Sequence, residues 1–216
     1  CDSSRAKVKF TNGKVEPKIL NYYYNMSDAQ FMMTDNEGWG LSLTEAIMAG
    51  NMIIAPVQGG MQDQMRFEDE NGDWINFSSD WPTNSNGRYK NCGEWAVPMF
   101  GKTRSLKGSP QTPYIYATQV DVEDAGLSIL KCYNLGREEI QRRGLTGRNW
   151  LCSEESRMTA KGMGQNFIDN INVLFNNWEP VQKFDIEKVD EGYTTYNPNA
   201  VQYTPEFKQK LKEVLS

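Results

Sequence analysis

Short apolar runs alternate with amphipathic stripes along the first third of the chain. Ala6 to Phe10, "AKVKF", places Val8 and Phe10 on one face and reads as a strand, and "TNGK" follows as a turn. Pro17 opens "PKILNYYYNMS", where Ile19, Leu20, Tyr23 and Tyr24 recur at helical spacing. "AQFMMT" is a compact apolar run and predicts a buried strand ending at Thr34. The loop "DNEGWG" follows, and then "LSLTEAIMAG" predicts a helix closed by Gly50, the residue favoured just past a helix C-terminus. "NMIIAP" predicts a second buried strand, and "VQGGMQDQM" turns into a further helix. Strand and helix alternate three times, which predicts an α/β fold with a Rossmann-like parallel sheet covered by helices on both faces. In such sheets ligands sit beyond the carboxyl ends of the strands. The loops Asp35 to Gly40 and Val57 to Gly60 both fall at that edge.

The pattern changes at Arg66. From there to Thr118 the chain is rich in Asn, Gly, Ser, Pro and Trp and shows little periodicity, which predicts a long irregular insertion. Trp74, Trp81 and Trp95 within it either stack on a sugar or anchor the loop, and anchoring is the simpler expectation. Order returns at Asp121. "DVEDAGLSILKCYNL" carries Ala125, Ile129 and Cys132 or Tyr133 on one stripe, and "GREEIQRRGLTGRNWL" continues as helix and turn. Met158 to Trp178 predicts a long helix with Met163, Phe167, Ile171 and Leu174 on one stripe, and Met158, Met163 and Phe167 are expected in the core. "VQKFDIEKV" predicts an edge strand, and "TPEFKQKLKEVLS" a closing surface helix capped by Thr204.

Composition removes several classes of function. The net charge of −5 comes with scattered basic residues, Arg142 and Arg143 being the nearest to a patch, so no general nucleic-acid surface is expected. There is no histidine, which excludes a Ser-His-Asp triad and a Cys-His dyad and removes the commonest zinc ligand. Cys1, Cys92, Cys132 and Cys152 lack metal-binding or disulfide-framework spacing and read as free thiols of a reducing, cytoplasmic compartment. No run of eighteen apolar residues predicts a transmembrane segment, and no signal peptide is visible. Asn25 and Asn76 each open an Asn-x-Ser triplet, a pattern that arises easily by chance.

Two motifs fail on inspection. "FGKT", Phe100 to Thr103, has Ala96 where a P-loop needs its first glycine, and no strand precedes it in the pattern. "DENGD", Asp69 to Asp73, has Trp74 where a calcium loop needs glycine, so it reads as a surface turn.

The loop after the second predicted strand is richer in chemistry. Glu37 and Glu45 frame Gly38, Trp39, Gly40, Leu41 and Ser42. Glycines let the backbone turn tightly and approach a ligand. The start of a helix offers free N–H groups and a positive dipole end, which suits a phosphate. A carboxylate accepts two hydrogen bonds at once, and the vicinal hydroxyls of a sugar donate two. Two acids at this spacing arise often by chance; it is their company here that carries weight.

"EGWGLSLTEAIMAG" resembles the Glu-x7-Glu signature of retaining glycosyltransferases of the two-domain GT-B architecture, the group 1 or family 4 type. "VKFTNGKV", the "YYYNMSDA" helix and "MIIAPVQGG" match the order of that family's second domain, and "DVEDAGLSILKCYN" resembles its next helix. The resemblance implies Glu37 as the catalytic-site acid on the donor sugar and Glu45 on the nucleotide ribose. It implies Gly40, Leu41 and Ser42, with Gly38 in the same turn, at the diphosphate, and Gly59 and Gly60 as the pocket wall. It implies a nucleotide-sugar donor, an unknown glycan or other acceptor, no metal and no further cofactor. Trp39 stands where the family has Phe, and 66–118 has no counterpart there. The family's acceptor-binding N-terminal domain and its diphosphate-binding Arg and Lys would precede Cys1. The expected organisation is thus an incomplete nucleotide-sugar-binding domain over 1–178, interrupted by 66–118, with a C-terminal extension over 179–216. Such a piece is expected to be inactive alone. A non-catalytic sugar-nucleotide or carbohydrate-binding module of the same fold is the alternative reading.

Overall fold

The computed structural model describes residues 10–11, 13–75 and 89–179. The chain divides into two compact units, Cys1–Ile171 and Asn172–Ser216. The expected strand at 6–10, apart from Phe10, lies outside the described residues, as do Trp81, the expected edge strand and the closing helix with Thr204.

Among the described residues the first unit is built on a three-stranded parallel sheet. Helix α1 (Pro17–Met26) starts on a proline, whose fixed φ and missing N–H suit the first helical position. Strand β1 (Ala29–Phe31) pairs with β2 (Met52–Pro56), and β2 pairs with β3 (Ala96–Met99), in the order β1-β2-β3. Between β1 and β2 runs α2 (Leu41–Met48), ended by Gly50 at φ +85°, a left-handed conformation that glycine adopts without a Cβ clash. Helix α3 (Met61–Met65) follows β2.

Every residue of β2 is buried, as the apolar run predicts, and its alternation divides the core. Ile53 and Ala55 face a cluster with Leu43, Ile47, Met61 and Trp95, while Met52 and Ile54 face a second cluster with Val97, Met99, Ala125 and Ile140. Helices therefore cover both faces of the sheet. By contrast β1 is half-exposed, with Phe31 at 39% and neighbouring Met33 at 47%, because among the described residues it pairs only with β2. The expectation of a buried strand there is corrected.

The described residues of 66–118 are more ordered than their composition predicts. They supply β3, the third strand of the sheet, and then a hairpin of β4 (Thr103–Ser109) and β5 (Thr112–Gln119). Trp74 and Trp95 are structural. Trp95 stacks on Trp150 at 5.0 Å, and Trp74 meets Trp150 edge-on at 5.4 Å. "DENGD" is a surface turn: Asp69 Oδ1 accepts the Asn71 and Asp73 amides at 2.8 and 2.9 Å.

Helix α4 (Val122–Tyr133) buries only Ala125 and Cys132 of its expected stripe, while Ile129 and Tyr133 are exposed. Helix α5 (Arg137–Leu151) runs unbroken through "GLTG", where a helix and turn were expected. Its glycines are contact points: a Cβ on Gly144 would lie 1.8 Å from the Gly50 carbonyl oxygen, and one on Gly147 2.5 Å from Trp95. Backbone proximity here outweighs the roughly 1 kcal/mol helix penalty of glycine. Helix α6 (Ala160–Asn177) buries none of its residues, so Met163 and Phe167 are not core residues; Met158, just before it, packs partly on the first cluster.

Candidate functional site

The loops that leave the carboxyl ends of β1 and β2 meet each other. The Gly60 amide donates to the Gly38 carbonyl at 2.8 Å. Gly59, at φ +50°, lies so close that a Cβ would stand 1.9 Å from the Glu37 carbonyl oxygen, and one on Gly60 would stand 2.4 Å from the Trp39 ring. Glu37, Gly38, Gly40, Gly59 and Gly60 are thereby brought into one place, and the glycine pair is required by backbone contact with the neighbouring loop.

A partly buried polar circuit fixes the turn between the two glutamates. Trp39 Nε1 donates to Thr44 Oγ1 at 2.9 Å, and Thr44 donates to Gln64 Oε1 at 2.9 Å. Gln64 Nε2 closes the circuit on the Trp39 carbonyl at 2.6 Å. Trp95 Nε1 donates to the Gln64 carbonyl at 3.1 Å, which ties the loop to the tryptophan core.

Gly40 enters α2 in the left-handed region, φ +83° and ψ 63°. Its amide donates to Glu37 Oε1 at 3.2 Å, so the carboxylate folds back over the helix N-terminus. The amides of Leu41 and Ser42 have no acceptor among the described residues. Ser42 Oγ is likewise buried without a partner, as are Gln58 Oε1 and Thr118 Oγ1. Gln58 follows β2, where its Nε2 donates to the Thr34 carbonyl at 2.7 Å, and the Thr118 amide donates to the Asp35 carbonyl at 3.0 Å. Buried polar groups are normally satisfied. Here Ser42 Oγ and two free amides stand at the start of α2, while Gln58 and Thr118 are bonded to Thr34 and Asp35, which lead into the Glu37 loop.

Glu45 lies a full turn further along α2 and faces elsewhere. It opens on a cleft of about 560 Å³ between α1, α2 and α5, lined among others by Pro17, Leu20, Asn21, Tyr24 and Arg148. Tyr24 donates its hydroxyl to Glu45 Oε2 at 2.8 Å. Burial, and then the Glu45 carboxylate, push the Tyr24 hydroxyl up to about 12. The two glutamates thus have different surroundings: Glu37 holds the Gly40 amide, and Glu45 lies in the cleft beside Tyr24. The Tyr24–Glu45 contact has no sequence signal: Tyr24 reads simply as part of the α1 stripe, and 21 residues separate the pair.

On the far side of Trp39 a second cleft of about 880 Å³ is lined by Trp39, Leu41, Trp74, Met158 and Met163, with Asp63 among its polar residues. Burial pushes the Asp63 carboxyl up to about 6. Among the described residues no three His, Cys, Asp or Glu side chains are grouped to hold a metal, and Cys92, Cys132 and Cys152 are unpaired thiols. None of the described helices is long and apolar enough to cross a membrane. Compared with protein-family models and with curated proteins, the chain matches none.

Proposed function

We propose that the chain carries the donor-binding region of a retaining, nucleotide-sugar-dependent glycosyltransferase, as the second Rossmann-like half of a GT-B architecture. The observation that carries this reading is the start of α2: two free amides, at Leu41 and Ser42, lie in sequence between two carboxylates that are held by different partners, Gly40 and Tyr24. A diphosphate on those amides gains the N–H bonds and the dipole of the helix end. Ribose hydroxyls then reach Glu45, whose carboxylate Tyr24 orients, and the sugar reaches Glu37. In the transfer, the bond from the anomeric carbon to the diphosphate oxygen breaks and the bond to the acceptor oxygen forms on the same face. The acceptor's proton passes to the leaving diphosphate. Glu37 favours positive charge developing at the anomeric carbon.

A non-catalytic nucleotide-sugar-binding module is the second reading. It is favoured by the Glu37 carboxylate, which is engaged with the Gly40 amide rather than open.

Titrating the full chain with UDP, GDP and ADP tests both. One nucleotide should bind, and Glu45→Ala should weaken it ten- to hundred-fold, about 1.5–3 kcal/mol for charged hydrogen bonds. Glu37→Gln should leave that affinity unchanged and lower donor turnover ten-fold or more, about 1.4 kcal/mol. No binding by any of the three sinks the donor-site reading. Binding without hydrolysis or transfer, in a chain joined to any preceding domain, selects the module.

A further inference from the structure

The cleft of about 880 Å³ beyond Trp39 lies wholly within the first unit. Leu41 reaches it from α2, Asp63 from α3 and Met163 from α6, while Trp39, Trp74 and Met158 come from the segments outside the helices. Apolar side chains that would ordinarily be covered are left open along it: Leu41 is 72% exposed and Met163 61%. The volume is that of a small-molecule site, well above what a single ion fills.

Asp63 is the odd group among these walls. It is half-buried, and among the described residues no hydrogen bond or ion pair reaches its carboxyl, so burial alone acts on it. The charges nearby do not compensate it. Arg157, also on the cleft, pairs with Asp169 at 2.9 Å. Arg66, which ends α3, is shared between Glu68 and Glu155, the latter on the cleft and 3.1 Å away. Four carboxyl groups thus stand against two guanidiniums, each already engaged. A half-buried carboxylate without a partner is costly, and a cation brought by a ligand removes that cost.

We propose that this cleft is a binding site for an organic amine, its ammonium paired with the Asp63 carboxylate and its apolar body lying against Trp39, Trp74 and Met158. The site stands apart from the proposed nucleotide contacts and does not depend on them. The surplus of carboxylates disfavours an anion. A bare metal ion lacks ligands here, because among the described residues no three acidic, Cys or His side chains are grouped. Indole rings attract an ammonium through their electron-rich faces and also cover apolar carbon. Met158 and Met163 add unbranched, polarizable side chains that adapt to the outline of a ligand.

Isothermal titration of the full chain with tryptamine, phenethylamine and benzyltrimethylammonium tests it, with tryptophol and 2-phenylethanol as the uncharged counterparts. At least one amine should bind, and the alcohol of matching shape should bind ten-fold more weakly or not at all. Asp63→Asn keeps the side-chain shape and should weaken the amine ten-fold or more while changing alcohol affinity less than three-fold. Trp74→Leu should weaken amine and alcohol alike. Thermal melts of both variants confirm that they are folded. Failure of all three amines overturns the site, as does equal binding of amine and alcohol. Undiminished amine binding by folded Asp63→Asn overturns it as well.

Discussion

Trp95 and Tyr116 come from the same stretch of irregular composition, yet one is 3% exposed and the other 55%. Trp95 stands at the entrance to β3, stacks on Trp150 and bonds the Gln64 carbonyl. Tyr116 stands on a two-stranded hairpin that projects from the sheet. The difference is one of neighbours. A buried strand gives neighbouring side chains a core to pack into, whereas an isolated hairpin has no second layer to bury against. An aromatic on such a hairpin stays half-exposed; one beside the sheet is buried.

The sharpest way to break this contrast is Trp95→Ala. It should destabilise the first unit by about 3–5 kcal/mol, the cost of emptying a large aromatic site. Urea unfolding followed by tryptophan fluorescence checks it, and a loss below 1 kcal/mol would place Trp95 with the surface residues.

A smaller effect should come from Asp63→Asn, beside the Trp39–Trp74 cleft. The folded carboxyl is raised from 3.8 to about 6, so the fold binds this proton more tightly than the unfolded chain does. The wild type therefore loses stability as pH rises from about 4 to about 6. The asparagine variant should be more stable than the wild type at pH 7.5, by about 1–2 kcal/mol once solvent screening is allowed for. Near pH 3.5 the gap should close. Thermal melts at the two pH values give the comparison, and an equal gap at both would remove the titration from the account.

The smallest effect belongs to the hairpin. Lys107 and Asp35 are each about half-exposed, and Lys107→Ala should cost less than about 1 kcal/mol. Denaturation midpoints of Lys107→Ala and the wild type decide it. A loss comparable to Trp95→Ala would mean that the hairpin belongs to the core after all.

The α/β alternation was legible in the sequence because β2 is a pure apolar run and Gly50 closes α2. The third strand was not. At four residues, with Pro98 inside it, β3 is too short to show a period. The hairpin turns through Pro110 and Gln111 without the Asn-Gly or Asp-Gly pair that marks a two-residue turn. Helix α6 shows the opposite failure: a clear apolar stripe at Met163 and Phe167 states that a face favours burial, but not whether anything covers it. At the site, the clustering of Glu37, Gly40, Gly59 and Gly60 followed from their places on adjoining loops. The separate facing of Glu45 did not, because Tyr24 is distant in sequence.

The contact between the two loops also dictates how mutations there combine. At Gly60 the obstacle to a side chain is the Trp39 ring together with the Gly38 carbonyl, whereas at Gly59 it is backbone only, the Glu37 carbonyl first and the Gly38 carbonyl behind it. A ring can be trimmed by mutation and a peptide oxygen cannot. In a selection for second-site suppressors, a Gly60→Ala defect should be partly relieved by smaller residues at position 39. A Gly59→Ala defect should find no such partner, because its antagonist is the same in every sequence. Of two adjacent glycines, one is therefore open to epistasis and the other is fixed by the peptide bond itself.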